Sequence, residues 1–219
     1  MQLSAKTINI LKNFATINPS IVLKPGGVIS TISPNKTIMA RATIPDVIDD
    51  VYGVYTLNRF ISVLSLIENP TFDFSSKSVK ISDSSGDTSA EYFFSDPSVI
   101  LVPPEREIKL PTVDVECKVN TKAFQLVMKG LGVLNLPEFA IVGDGSVISI
   151  NGISSKGITN DYFRINLGST DRVFRAIFMA ENIKLIDGDY DLKISSKGIS
   201  QFIGTEATYW VAVESGSTF

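Results

Sequence analysis

The sequence contains no histidine and only one cysteine among its 219 residues. Histidine is the commonest general base and metal ligand in proteins, so its absence removes the usual chemistry of many hydrolases and metalloenzymes. The single cysteine, Cys117, excludes an intramolecular disulfide and fits a reducing compartment. No apolar run approaches the roughly 18 residues that would span a membrane, and the first residues lack a signal-peptide pattern. We therefore expect a soluble intracellular protein that is not an enzyme and needs no metal or cofactor.

Charged residues are also scarce. They make up 20% of the chain against 44% hydrophobic residues, and the net charge is −3. This composition predicts a globular protein, and the length suits two domains of about 110 residues each. An acidic total, taken alone, argues against nucleic-acid binding. The distribution of the charges along the chain therefore has to be considered separately from their sum.

Two periodicities alternate along the chain. An apolar side chain recurs at every second residue in segments 113–119, 163–167 and 190–195, which indicates antiparallel strands with one face on a core. A helical period predicts helices at 4–17, 56–67, 120–133 and 180–186.

The order of these elements predicts an α+β protein with two domains of similar layout. A proline-rich segment without periodicity, residues 96–111, separates the halves and is typical of a connector. We place the first domain at 1–95 and the second at 112–219.

The basic charge is concentrated on the predicted helices. Their six bases are Lys6, Lys12, Arg59, Lys122, Lys129 and Lys184, and their one acid is Glu181. The remainder of the chain then holds 14 bases and 22 acids. One interpretation is that the helices share a surface that attracts phosphate through lysine point charges without reading sequence. The other is that lysine, a good helix former, simply covers solvated helix faces.

Two glycine–aspartate stretches, 143–145 and 187–189, lack the alternating acids and final glutamate of a calcium loop, so we interpret them as turns. Residues 130–132, Gly-Leu-Gly, lack the third glycine of a nucleotide-binding fingerprint and fit a helix terminus.

Three acids, Asp46, Asp49 and Asp50, have no visible partner base, so we expect a solvated loop there. Cys117 falls on the apolar face of its strand and is expected to be a core thiol. The apolar run 99–102 in the connector either packs onto the body of the protein or forms one wall of a partner groove.

Several short runs, collinear over essentially the full length, resemble one known family. They are Lys12-Asn13-Phe14-Ala15-Thr16-Ile17-Asn18, Leu23-Lys24, Asp46-Val47-Ile48-Asp49, Tyr55 with Leu57-Asn58 and Phe60, Leu64-Ser65-Leu66, Asp96-Pro97-Ser98, Ile150-Asn151-Gly152, Gly188-Asp189-Tyr190 and Tyr209-Trp210-Val211-Ala212-Val213-Glu214. On these runs the chain resembles the DNA polymerase sliding clamps of tailed bacteriophages.

The resemblance implies the DNA clamp fold, in which each of two similar domains has antiparallel sheet and paired helices. Three subunits would close head-to-tail into a ring around duplex DNA, with the six helical bases lining the hole. The subunit interface would join edge strands near 91–94 and 161–167. Its candidate residues are Tyr92, Phe94, Phe163 and Ile165.

The resemblance also implies partners that bind by short tails beside the connector. The candidate pocket residues, chosen by position, are Ile38, Met39, Ile100, Leu101 and Tyr209. The implied partners are a clamp loader ATPase, a family B replicative DNA polymerase and the phage late-transcription factors, in the cytoplasm of the infected bacterium. The main alternative is a tail or baseplate protein of the virion, which would not need basic helices. An enzyme using lysine or carboxylate chemistry is a second alternative.

Overall fold

A computed structural model of the chain describes residues 3–155, 157 and 161–219. The chain divides into two compact units, Met1–Glu105 and Arg106–Phe219. The division lies within the proline-rich segment 96–111. None of the helices in these described ranges has the length and apolar character that crossing a membrane requires.

The first unit combines two helices with short antiparallel strands. Its elements are α1 (Ala5–Ile17), β1 (Ile21–Leu23), β2 (Gly26–Ile32), β3 (Ile38–Ile48), β4 (Tyr52–Val54), α2 (Leu57–Leu64), β5 (Thr71–Phe74), β6 (Ser78–Ser82) and β7 (Ser89–Phe93). β1 pairs with β4, β2 pairs with β3, and β5, β6 and β7 form a meander in that order. A 3-10 helical turn follows at Pro97–Val99.

The core of the first unit forms where the two helices lie on the strands. α1 buries Ile10 and Phe14 and contacts both α2 and β3. The ring of Phe60 on α2 meets that of Tyr92 on β7 edge-on, with centroids 5.2 Å apart. Apolar residues recurring every three or four positions are what allow one helix face to bury in this way.

The second unit contains one helix and two four-stranded antiparallel arrangements. Its elements are β8 (Val115–Val119), α3 (Thr121–Val133), β9 (Glu138–Asp144), β10 (Val147–Ile153), β11 (Phe163–Ser169), β12 (Val173–Met179), β13 (Tyr190–Ser195), β14 (Ile199–Ile203) and β15 (Thr208–Ala212). The strand orders are β11-β10-β9-β12 and β15-β14-β13-β8. Phe178 of β12 meets Phe202 of β14 with ring centroids 6.0 Å apart, so the two arrangements share a core.

The helix predicted at 180–186 is wrong. The structure has only a 3-10 helical turn at Ala180–Asn182 before the chain becomes irregular. The backbone of Ile186 explains the difference, because its N–H donates to the Tyr209 hydroxyl at 3.1 Å and its carbonyl accepts from the Tyr190 hydroxyl. Both groups that a helix would use are therefore taken by side chains. A segment of seven residues has little helical stability of its own to oppose this.

Candidate nucleic-acid interface

The exposed faces of the three described α-helices carry bases, neutral polar groups and a few apolar residues. Their exposed residues are Ala5, Lys6, Asn9, Lys12 and Thr16 on α1, Asn58, Arg59 and Ser62 on α2, and Lys122, Gln125, Leu126, Lys129, Gly132 and Val133 on α3. No acidic residue occurs in any of the three helices. A surface whose bases are mostly lysines attracts phosphate as a set of point charges, without the bidentate geometry that several arginine guanidinium groups would impose.

The bases do not all point the same way on their helices. Lys122 and Lys129 are seven residues apart, which returns them to within about 20° of one another at 100° per residue. Lys6 and Lys12 are six apart and project about 120° apart around the axis of α1. The second unit therefore presents one basic stripe, whereas α1 spreads its two lysines over a wider face.

A base occupies the first turn of every helix, at Lys6, Arg59 and Lys122, and no first turn holds an acid. This arrangement opposes the helix dipole, which favours acids there by about 0.3–1 kcal/mol. Helix stability alone therefore does not account for these bases. The pattern favours a phosphate-facing surface over the alternative of lysines placed only for helix propensity.

The acid that the N-terminus of α1 needs comes from β3. The N–H and hydroxyl of Ser4 donate to Asp46 Oδ2 at 3.0 and 2.7 Å, and the Thr7 hydroxyl donates to the same oxygen. Burial raises the pKa of Asp46, but the hydrogen bonds from Thr7 and Ser4 outweigh it and hold the pKa below its ordinary value. The prediction of a solvated loop is thus wrong for Asp46, although Asp49 and Asp50 are exposed.

The N-terminus of α3 is held in the same way by the turn before β13. The N–H and hydroxyl of Thr121 both donate to Asp189 Oδ1 at 2.7 Å. One turn later, Gln125 Nε2 donates to Asp187 Oδ2 at 2.9 Å. The hydrogen bonds from Thr121 hold the pKa of Asp189 below its ordinary value. Sequence analysis missed both anchors, because each joins residues about 40 or more positions apart.

Lys184 lies outside the helices. Its predicted helix does not form, and the side chain is half-buried in the irregular segment after Asn182. The other five predicted DNA-binding bases, Lys6, Lys12, Arg59, Lys122 and Lys129, are exposed on helices.

Four of the five predicted partner-binding side chains, Ile38, Met39, Ile100 and Tyr209, are buried, whereas Leu101 is 39% exposed. A groove of about 270 Å³ lies in the first unit, between β1, β2, β3 and residues 102–105 of the connector, and none of the five predicted residues lines it. Its lining residues are Val22, Lys24, Val28, Ser30, Arg41, Val102, Pro103, Pro104 and Glu105.

Two polar contacts join the connector to the rest of the first unit at this groove. Lys24 Nζ and Glu105 Oε1 form an ion pair at 2.5 Å. Arg41 Nη2 approaches the Pro104 carbonyl at 3.5 Å. Within the apolar run 99–102, Ile100 packs inward and its three neighbours are exposed, so the run both packs on the body and borders the groove.

The candidate interface residues of the first unit lie at a sheet edge. β7 is an outer strand of its meander. Tyr92 is buried against α2, and Phe94 is half-buried between Tyr52 and Phe74. The side chain between them, Phe93, is 67% exposed. Sequence analysis missed Phe93, although strand alternation places it opposite to Tyr92.

The candidate interface residues of the second unit, Phe163 and Ile165, are half-buried on β11, which is also an outer strand. Their neighbour Tyr162 is 73% exposed. The opposite outer strand, β12, is covered by the chain itself, because Arg175 exchanges two backbone hydrogen bonds with Thr218. Among the residues that the structure describes, no backbone pairing is seen on the outer side of β11, and an unpaired edge is a template for pairing with another chain.

Comparison with known proteins adds the following. A family model described as DNA polymerase processivity factor matches residues 4–101, and one described as gp45 sliding clamp, C terminal, matches residues 116–215. The sliding clamp of Enterobacteria phage T4 is 32% identical over 226 residues, covering 100% of this chain and 99% of that protein. The sliding clamp of Vibrio phage KVP40 is 29% identical, covering 98% and 99%.

Solved structures with the same fold include archaeal proteins. The PCNA2–PCNA3 complex from Sulfolobus tokodaii matches with a TM-score of 0.65 at 15% identity, covering 95% of this chain and 96% of that chain. The PCNA of A. fulgidus, solved with the C-terminal region of FEN-1 bound, matches with a TM-score of 0.69 at 13% identity, covering 94% of each chain. At these identities the likeness is one of fold alone.

Proposed function

The chain belongs to the sliding clamp family of phage DNA polymerase processivity factors, and from that premise we propose that three copies close head-to-tail into a ring around duplex DNA. It is a processivity factor of phage DNA replication and not an enzyme. This assignment replaces the alternatives of a virion component and of a lysine or carboxylate enzyme. The proposal rests on one observation, that the three described α-helices of the chain bear five bases and no acid.

The mechanism we propose is topological. A closed ring stays on DNA because it encloses the duplex, so its direct affinity can be low. Lysine contacts with phosphate are independent of sequence and permit sliding. The rest of the chain holds 15 bases against 23 acids, a balance that discourages DNA from binding outside the hole.

The ring closes in this proposal by pairing the edge of β7 in one subunit with the edge of β11 in the next. Support comes from the cover over β12, from the outer side of β11, which has no backbone pairing among the described residues, and from the exposed rings of Phe93 and Tyr162 at the two edges. A contact between two different surfaces is heterologous, and it yields a ring when the rotation between copies closes.

Partners attach, we propose, by short tails at the groove beside the connector. Its valine and proline side chains offer apolar contact, and Lys24 and Arg41 offer hydrogen-bond donors. A tail bound there tethers its protein to the ring and raises the local concentration of the two components. The polymerase is the first such partner. A clamp loader ATPase and the late-transcription factors are further ones, in the cytoplasm of the infected host.

Assembly is tested by light scattering over a concentration series. Three copies of the 23.8 kDa chain should weigh about 71 kDa. A protein that stays at one copy at high concentration would contradict ring closure.

The DNA surface is tested with the variant Lys12→Glu, Lys129→Glu. The control is Lys80→Glu, Lys118→Glu, which makes the same change of charge on strands β6 and β8. We expect the helix variant to keep the oligomer mass but leave DNA sooner, measured as the lifetime of loaded rings on nicked circular duplex. An equal loss in the control, or loss of the oligomer in the helix variant alone, would refute the assignment of these helices to the hole.

A further inference from the structure

The N-termini of α1 and α3 are each hydrogen-bonded to an aspartate from a distant part of their own unit. We propose that Asp46 and Asp189 are positioning residues that fix the rotation of α1 and α3 about their axes, and so the direction in which the helix lysines point. The inference rests on the proposed function, because it presupposes that these helices face DNA.

The geometry is clearest on α3. Asp189 holds Thr121 by two hydrogen bonds of 2.7 Å, and Asp187 holds Gln125 at 2.9 Å. Residues 121 and 125 are one turn apart and lie on the same side of the helix. Two attachments along one side resist rotation, whereas a cap at the end alone does not. The stripe of Lys122 and Lys129 lies about 40–100° around the axis from that side.

α1 has a related device, whose two attachment points, Ser4 and Thr7, both lie at its first turn. Ser4 is the N-cap residue of α1, and its side chain accepts a hydrogen bond from the Thr7 N–H at 3.2 Å. Asp46 in turn accepts hydrogen bonds from the N–H of Ser4 and from both hydroxyls. The device therefore occurs once in each unit, with a serine cap in one and the cap of Asn120 in the other.

The arrangement also has an electrostatic reason. A helix N-terminus is stabilised by negative charge. An acid within the first turn of α1 or α3 would lie beside Lys6 or Lys122 and would repel phosphate. An aspartate from another strand or turn, with its oxygen directed at the helix end by hydrogen bonds, supplies that charge while the helix sequence itself stays free of acids.

The test compares Asp189→Ala with Asp189→Asn, whose amide oxygen can still accept from Thr121. The control is Asp191→Ala, which removes an exposed aspartate two residues further along the chain, in β13, that pairs with Lys118 and not with α3. The double variant Lys122→Ala, Lys129→Ala is the benchmark for losing both lysine contacts with phosphate. Each full-length protein is titrated with a short fluorescent duplex by anisotropy at salt concentrations from about 50 to 200 mM, a range over which phosphate contacts change affinity strongly. The melting temperature of each is measured alongside.

In Lys122→Ala, Lys129→Ala, the slope of log affinity against log salt concentration should become less negative by close to two, since each lost phosphate contact removes about 0.9 from its size. We expect Asp189→Ala to flatten it by at least half as much, and both Asp189→Asn and the control to keep the wild-type slope. A lower melting temperature with an unchanged slope in Asp189→Ala would mean a purely stabilising role and overturn the inference. Tighter DNA binding by both Asp189 variants would also overturn the inference, because it would indicate an effect of removing the charge alone. An equal decrease of the salt slope in both variants would overturn it as well.

The two levels of the proposal fail differently. If the benchmark itself leaves DNA binding unchanged, the assignment of α3 to the DNA surface is wrong. If the benchmark weakens binding and Asp189→Ala does not, only the positioning role is wrong. The pair Asp46→Ala and Asp46→Asn repeats the test on α1.

Discussion

Two glycines in the last turns of α3 should respond in opposite ways to the same substitution. Gly130 is buried beneath the ring of Phe163, and a β-carbon there would lie 2.8 Å from both Cγ and Cδ1 of that ring. Gly132, two residues later, is exposed and has nothing within 4 Å of such an atom. Gly132→Ala should therefore gain the full helix-propensity difference, about 1 kcal/mol.

Gly130→Ala gains the same helix propensity, but its methyl group must displace the Phe163 ring at Cγ and Cδ1, near the attachment of the ring to the backbone. Inserting a methyl group into a filled site costs about 1–3 kcal/mol. The two alanine variants should therefore differ by about 1–3 kcal/mol in free energy of unfolding, at roughly 2–4 °C of melting temperature for each kcal/mol. Urea and thermal unfolding should be measured at one fixed protein concentration, because self-association adds to apparent stability.

A second substitution checks the cause. In a Phe163→Ala background the ring is gone, so alanine at position 130 should become stabilising, and the double-mutant cycle should show the coupling. A Gly130→Ala protein as stable as Gly132→Ala, or a cycle with no coupling, would refute the reasoning from the Phe163 contact.

Three further outcomes follow from the same structure. The pKa of Asp46 is lowered on folding, so its contribution to stability is present above the ordinary value of 3.8 and is lost as pH falls through the folded value. Asp46→Asn should therefore be less stable than wild type at pH 7, and the difference in free energy of unfolding should shrink as the pH is lowered below 3.8, whereas a constant difference would contradict this. Phe93→Ser and Tyr162→Ser should each lower the oligomer mass in light scattering while leaving the far-ultraviolet circular dichroism unchanged, and an unaffected mass would exclude those edges from the interface. Burial raises the pKa of the Cys117 thiol to about 12, so alkylation at pH 8 should be slow until urea unfolds the chain, and rapid labelling of the native protein would show that the thiol is accessible.

Periodicity predicted the three described α-helices and three of the fifteen described strands. Helices expected at 4–17, 56–67 and 120–133 are observed at Ala5–Ile17, Leu57–Leu64 and Thr121–Val133, and the alternating segments are strands. These predictions are confirmed because each such segment has an apolar face long enough to dictate its own conformation. The segment 180–186 has no such face, and two tyrosine hydroxyls from elsewhere in the unit decide its backbone.

The features of the candidate site likewise fall into those that local sequence predicts and those that depend on distant residues. Sequence alone placed six bases and one acid on four helices, and five of those bases lie on the three α-helices that form, since composition and period are local properties. The sixth base, Lys184, and the acid, Glu181, belong to the segment 180–186, which does not form an α-helix. It did not locate the acids at the helix ends, because Asp46 and Asp189 come from other elements of the fold. It also selected Tyr92 rather than Phe93 at the β7 edge, although only the latter has its ring exposed.

The sequence by itself therefore determined the three α-helices and several of the strands, that these helices are basic, and which family the chain resembles. Only the tertiary structure decided which side chains remain accessible. Tyr209 is buried, and the outer side of β12 is paired with Thr218, whereas that of β11 has no backbone pairing among the described residues. The physical reason is range: periodicity and charge are set by neighbours along the chain, whereas exposure, edge pairing and anchoring depend on residues that folding alone brings together.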